Sequence, residues 1–286
     1  MYPAPFEYHR ASSVDEAIAL LSRYGDDAKL LAGGHSLIPL LKLRFAQPAH
    51  LIDVRHIHAL HGISEQDGRV LIGAATTHWM VESSQLLRDR IPVLADSAAL
   101  IGDPQVRNMG TIGGSLAHSD PSADYPAVML ALDAEMVATG PKGSRTIAAS
   151  EFFVGMLTSA LTADEVLTAV RIPVPAAGTH SAYEKYPHPA SRYAVVGVAA
   201  TVTMSGGTVQ RARLGVTGLG AHATRATAAE QAFAGSKGDA AAIHAAAARV
   251  SDGIDVRTDL QGGEDYKRAL ATAYARRALE RAVQGR

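Results

Sequence analysis

Apolar residues first recur at helical spacing near the start of the chain, where Val14, Ala17, Ile18, Leu21 and Tyr24 fall on one face. Ser13 and Glu16 give this helix a capping box, and Gly25 gives it a stop. Residues 29–32 then read as a strand, 37–45 as a short helix and 51–54 as a second strand, together a small β-loop-α-β unit. Strand character returns at 70–74; Thr77 is placed to cap a helix carrying Met80, Val81 and Leu87, and a further apolar stretch runs from Val93 to Ile101. From Gly102 to Tyr125 the pattern lapses into Gly, Asp, Pro, Ser and Asn. That stretch is long for a connection in a compact domain and reads as a functional loop, since apolar elements flank it.

Asp124 is placed to cap a helix reaching Leu132, with Pro126 in its first turn; 135–139 and 165–172 follow as strands. Residues 173–178, rich in Pro, Ala and Gly, are the clearest linker. Beyond it, 181–186, 194–204 and 208–217 read as strands, the latter two joined at Ser205-Gly206-Gly207, and alanine-rich helices close the chain. The expected division is therefore 1–56, 57–177 and 178–286.

Two glycine pairs punctuate this pattern: Ala32-Gly33-Gly34-His35-Ser36-Leu37 and Thr111-Ile112-Gly113-Gly114-Ser115. Glycine reaches backbone angles closed to other residues and leaves room for a ligand, and consecutive N–H groups can form a concave anion cradle. Two such cradles suit a pyrophosphate. Neither matches G-x-G-x-x-G or the P-loop, so the weight rests on the pair and its context.

Composition narrows the classes. The 47% of hydrophobic residues is ample for a large core, and 27 basic against 28 acidic residues leave a net charge of -1, with no electrostatic reason to expect nucleic acid or an anionic membrane. Cysteine is absent, which excludes disulfides, thiolate nucleophiles, thiolate zinc sites and a thiolate-held iron–sulfur cluster on this chain. With no basic-then-apolar leader and no run of about 18 apolar residues, the expectation is a cytoplasmic protein with no direct membrane insertion.

Together, residues 31–37, Asp103-Pro104-Gln105-Val106-Arg107-Asn108-Met109-Gly110-Thr111-Ile112-Gly113-Gly114-Ser115 and Ser119-Asp120-Pro121-Ser122-Ala123-Asp124 resemble the FAD-binding medium subunits of the molybdenum hydroxylase (xanthine dehydrogenase) family, with most likeness to those of aerobic carbon monoxide dehydrogenases. The likeness extends over nearly the whole chain, through Ala169-Val170-Arg171-Ile172-Pro173 to Asp265-Tyr266-Lys267-Arg268. The resemblance implies an α+β, vanillyl-alcohol-oxidase-like (PCMH-type) FAD fold of two α/β subdomains, followed by a C-terminal α+β domain. It implies FAD as cofactor, with Ala32, Gly33, Gly34, His35, Ser36 and Leu37 and Thr111, Ile112, Gly113, Gly114 and Ser115 around its phosphates. It also assigns Asp124 as an acidic flavin contact, Leu167 and Ile101 as apolar ones, Lys185 as a basic one near the ring and Tyr193 as the residue facing it. No catalytic side chain and no metal ligand is implied on this chain.

The same resemblance implies partners: a large molybdenum-cofactor subunit that oxidises the substrate and a small subunit with two [2Fe–2S] clusters, in a dimer of heterotrimers. Carbon monoxide is the favoured substrate of the complex; aldehyde, xanthine or N-heterocycle dehydrogenases are alternatives, and a stand-alone flavin oxidase or a flavin-free scaffold are alternatives of other classes. The electron acceptor is left open among quinone, oxygen and NAD.

Plainer explanations stand beside several of these residues. Asp124 also suits a simple helix cap, and Tyr193, at the start of an apolar strand, a core aromatic. His56, His58 and His61 are the only local histidine cluster and lack further donors, so a solvated loop is favoured over a metal site. Lys267, Arg268, Arg276, Arg277 and Arg281 suit a solvated helix face, with Leu270, Tyr274 and Ala278 as its buried stripe.

Overall fold

The computed structural model describes residues 1–285, and three sheets organise it, beside a two-stranded ribbon of Phe153–Gly155 and Thr158–Ser159. The first is parallel: strands Glu7–Arg10 and Ala28–Leu31 flank His50–Asp53, with Glu7 and Ala28 both in register with His50. Helix Val14–Tyr24 connects the outer two and buries Ala17, Ile18 and Leu21, the foreseen apolar face. Its capping box is offset by one residue: the Ser13 hydroxyl accepts from the Glu16 amide, but the Glu16 carboxylate accepts from the amide and hydroxyl of Ser12. Strand Glu7–Arg10 has no counterpart in the hydrophobic pattern, because its Glu-Tyr-His-Arg sequence faces mostly outward and only pairing with the central strand makes it extended.

The second sheet is antiparallel, in the order Ile63–Gln66, Arg69–Gly73, Val166–Pro173, Glu135–Gly140, Gly143–Ala148. Asp67 and Gly68 both take positive φ, 52° and 69°, so the first hairpin closes on the two-residue turn whose twist suits antiparallel strands. Helices inserted in the chain between Arg69–Gly73 and Glu135–Gly140 cover one face, among them Pro92–Ala99 and the fully buried Asp124–Ala131.

Between these two helices lies the stretch from Gly102 to Tyr125, and here the expectation of a long connection fails. It contains helices Pro104–Met109 and Ile112–His118, each started by a side-chain cap: Asp103 Oδ1 accepts from the Val106 amide at 2.9 Å and Thr111 Oγ1 from the Gly114 amide at 3.1 Å. Polar composition masked two well-capped short helices. Asp124 is likewise not a cap. Ala123 occupies that position, and the Asp124 side chain turns elsewhere.

The third sheet, Thr179–Pro187, Ala194–Ser205, Thr208–Thr217 and Thr224–Arg225, is antiparallel, and helix Glu264–Gln284 packs against it. That helix buries Ala271, Ala275, Ala278, Leu279 and Ala282, with Leu270 and Tyr274 at the margin of the stripe. Lys267 is also buried, contrary to the solvated face expected for it: its ammonium donates to Asp259 Oδ2 at 2.6 Å and to the Gly218 carbonyl at 3.2 Å. Among the described residues no helix is long and apolar enough to cross a membrane.

Helix Asp124–Ala131 presses directly on the third sheet. A Cβ on Gly215 would enter the Ala127 backbone, and the buried Thr217 hydroxyl lies 2.7 Å from the Pro121 carbonyl and 2.9 Å from that of Ala123. Replacing Thr217 by the isosteric valine leaves those carbonyls without this donor. The expected loss is about 1–3 kcal/mol of stability, read from urea unfolding, with unchanged secondary structure by circular dichroism.

Candidate functional site

The strand Ala28–Leu31 delivers the first glycine motif into an open turn before helix Leu37–Lys42. Gly34 takes φ +77°, and the amides of residues 33–36 donate to no group of the chain among the described residues. Four consecutive free donors beside a cavity are the feature expected of an anion cradle.

The second motif is built differently. It opens helix Ile112–His118, and four of its five amides are already taken: Ile112 by the Thr76 carbonyl at 3.0 Å, Gly113 by that of Ala74 at 2.8 Å, Gly114 by the Thr111 hydroxyl and Ser115 by the Thr111 carbonyl at 3.0 Å, while that of Thr111 donates to no group among the described residues. The expectation of a second amide cradle is therefore corrected. The Thr111 hydroxyl accepts from Gly114 and retains its own proton to donate.

The glycines serve close approach within the protein. A Cβ on Gly33 would sit 2.6 Å from Gly110 Cα and run into the Met109 carbonyl; one on Gly113 would sit 2.6 Å from the Ala74 carbonyl oxygen. Room that the sequence assigned to a ligand is filled at Gly33 by the Met109–Gly110 backbone and at Gly113 by Ala74. The first motif thus touches the segment that leads into the second.

They meet at a cavity of about 540 Å³, inside the range of about 300–1,000 Å³ usual for small-molecule sites. Ala32, Gly33, Gly34, His35, Ser36 and Leu37 line it from the first motif, and Thr111, Gly113, Gly114 and Ser115 from the second. Ile101, Leu167, Asp124 and Tyr193 line it as well. Two expected residues do not. Ile112 points into the core, wholly buried, because the helix turn that places Thr111 and Gly113 on the cavity directs it inward.

Lys185, the other exception, stands behind Asp124. Its Nζ lies 2.9 Å and 3.0 Å from the two carboxylate oxygens and donates to the carbonyls of Leu100 and Arg192 at 2.8 and 2.7 Å, so its three protons are already shared out. Tyr183 donates to Asp124 Oδ1 at 2.5 Å. Burial pushes the Asp124 carboxyl pKa up, opposed by Lys185 and the Tyr183 hydrogen bond. Lys185, expected as a basic contact near the ring, is in this structure the buried counter-ion of Asp124.

Tyr193 precedes strand Ala194–Ser205 and is 39% exposed at the cavity edge. Its hydroxyl pKa is raised by burial and by Asp120, with the nearby Ser36 side chain acting in the opposite direction. Motif reasoning missed His78, a buried lining residue whose position follows from Thr77 capping its helix. Burial, with His35 and Arg107 nearby, pushes its imidazole pKa from 6.5 down to about 3. It is a neutral group, with Nδ1 3.3 Å from the Tyr125 hydroxyl. Leu161, also missed, extends the apolar wall beside Leu167, and Thr162 lines the cavity next to it.

Comparison with known proteins shows which family the chain belongs to. Residues 4–175 match the family model described as the FAD binding domain in molybdopterin dehydrogenase, and residues 181–282 the CO dehydrogenase flavoprotein C-terminal domain. The chain belongs to the FAD-binding medium subunits of the molybdenum hydroxylases. It is 44% identical to the carbon monoxide dehydrogenase medium chain of Hydrogenophaga pseudoflava, covering 99% of this chain and 98% of that one. Its structure matches a chain of reconstituted CO dehydrogenase from Oligotropha carboxidovorans with a TM-score of 0.97 at 41% identity, over the full length of both. A chain of quinoline 2-oxidoreductase from Pseudomonas putida 86 matches with a TM-score of 0.94 at 34% identity, over 100% of this chain and 99% of that one.

Donors, apolar wall and size all fit the cofactor of this family: unpaired amides and hydroxyls for a diphosphate at one place, Ile101, Leu161 and Leu167 for a flat ring at another. The low His78 pKa has a consequence for the folded chain. A site kept neutral in the fold but protonated in the unfolded chain adds stability above pH 6.5 and loses it as pH falls toward 3. Between pH 7 and pH 5 this group alone is expected to cost about 2 kcal/mol. Denaturant midpoints measured across that window should fall more steeply for the native chain than for His78→Gln.

Proposed function

We propose that this chain passes electrons from the iron–sulfur clusters of a partner subunit to an external acceptor, in a molybdenum hydroxylase complex whose substrate is carbon monoxide. The observation that carries its part in this is the contact of the first glycine motif with the segment that leads into the second, beside a cavity with unspent donors. FAD, when bound, supplies uptake of two electrons and their release singly or as a hydride. The chain's own residues bind and orient it. Amides 33–36 with the Ser36 and Thr111 hydroxyls would hold the diphosphate and Ile101, Leu167 and Tyr193 would border the ring, while the Asp124–Lys185 pair keeps one carboxylate fixed in the wall.

Lacking cysteine, the chain receives electrons from clusters that another subunit must hold. The proposed partners are accordingly a small subunit with two [2Fe–2S] clusters and a large subunit with the molybdenum cofactor, assembled as a dimer of heterotrimers. The proposed division of this chain is 1–56, 57–177 and 178–286, supported by the three sheets falling within those limits. Carbon monoxide is favoured by the two carbon monoxide dehydrogenase chains matched at 44% and 41% identity. The quinoline-oxidising relative shows the same architecture serving a heterocycle, so a heterocycle dehydrogenase is the second reading.

Purification of the native complex tests the whole. Dye reduction driven by carbon monoxide, with flavin, molybdenum and iron present, is the expected result; turnover of an organic substrate by this chain alone would overturn it. Gly33→Ala tests the cradle: its added methyl meets the Gly110 and Met109 backbone, which cannot swing aside as a side chain would. The expected outcome is loss of most bound FAD in the purified complex with circular dichroism preserved. Tyr193→Ala is expected to keep FAD and to change its reduction potential or reoxidation rate, measured by redox titration and stopped flow.

A further inference from the structure

Where the strands of the first sheet begin, three side chains gather that do not line the cavity. Glu7 and His9 project from the same face of one strand, being two residues apart, and His50 lies beside them on the central strand in register with Glu7. His9 Nε2 is 3.0 Å from His50 Nδ1, and Glu7 Oε2 is 3.6 Å from His50 Nδ1 and 4.0 Å from His9 Nε2. We propose that Glu7, His9 and His50 form a binding site for a divalent cation of the zinc class.

The geometry fits the ion. A tetrahedral centre with ligands at about 2.0–2.1 Å sets its donor atoms about 3.3–3.4 Å apart, and the three observed separations bracket that value. Two imidazoles and a carboxylate are borderline donors that select zinc-like ions over magnesium or calcium, and three protein ligands leave the fourth vertex to water. In the metal-free chain one proton bridges the two rings; the cation takes the place of that proton, and Glu7 supplies negative charge.

The rings are already held. Tyr24 stacks on His50 with centroids 3.6 Å apart and planes 18° apart, and on His9 at 5.2 Å. Both histidines are half-buried, which limits the rearrangement that binding requires. The site joins the outer strand Glu7–Arg10 to the centre of a sheet of only three strands, each four residues long, so the cation acts as a staple on the smallest unit of the fold. His56, His58 and His61 offer no such set: all three are exposed, and the His61 ring is engaged by the Arg55 carbonyl at 2.8 Å.

Zinc ion itself is the probe, titrated into the chelator-stripped full chain against a chromophoric competitor. One zinc per chain is expected at micromolar metal, with a rise in thermal midpoint. His9→Gln and His50→Ala are expected to abolish both effects, and Glu7→Gln to weaken binding by more than about tenfold. A His56→Ala/His58→Ala variant is expected to bind as the native chain does. His9→Gln alters only a strand at the sheet edge, so it serves if His50→Ala does not fold. Absence of stoichiometric binding by the native chain, or equal affinity in His9→Gln, overturns the proposal.

Discussion

The backbone contact between Gly33 and the Met109–Gly110 segment is the constraint on which the site depends. It joins the turn leaving the parallel sheet to the helix start that rests on the antiparallel sheet, with no side chain between them. Any Cβ at Gly33 would separate the two, and the free amides of residues 33–36 would no longer share a cavity with Thr111. Glycine is required here for the approach of chain to chain, with ligand space a consequence. Satisfaction of the amides of residues 112–115 by Thr76, Ala74 and Thr111 ties down that side of the cavity, leaving the first turn to supply most of the free amides.

A second fixed point ties the C-terminal sheet to the same cavity. Asp124 sits at the start of a fully buried helix, and Tyr183 and Lys185 reach it from a strand some sixty positions later in the chain. Breaking such a buried pair leaves an uncompensated charge, so the wall that Asp124 forms and the packing of the C-terminal sheet stand or fall together. The carbonyls of Leu100 and Arg192 bind the same ammonium, which places Ile101 and Tyr193, one residue beyond each, against the cavity. Lys185 therefore shapes the cavity through the elements it anchors.

Several features could be read before any fold was known. Helix Val14–Tyr24, the Thr77 cap, the Gly206–Gly207 hairpin and the strand near 166–173 follow from local periodicity and turn chemistry, and the order of the glycine motifs was enough to mark the family. Where local signals were weak the expectations failed. The stretch from Gly102 to Tyr125 looked like a loop because its helices are short and polar, and Asp124 looked like a cap because a carboxylate before a helix often is one. Lys267 looked solvated because nothing in sequence announces Asp259 and the Gly218 carbonyl as its partners.

Sequence by itself determined the cysteine-free, apolar-rich chemistry of the chain, its motif order and hence its flavin family. Only tertiary structure decided which donors remain free, because an amide's availability depends on whether a distant carbonyl has already taken its proton. It likewise decided that Lys185 faces Asp124 and that His9 meets His50, since strand register and helix packing, which fix such distances, are set by contacts among residues far apart along the chain.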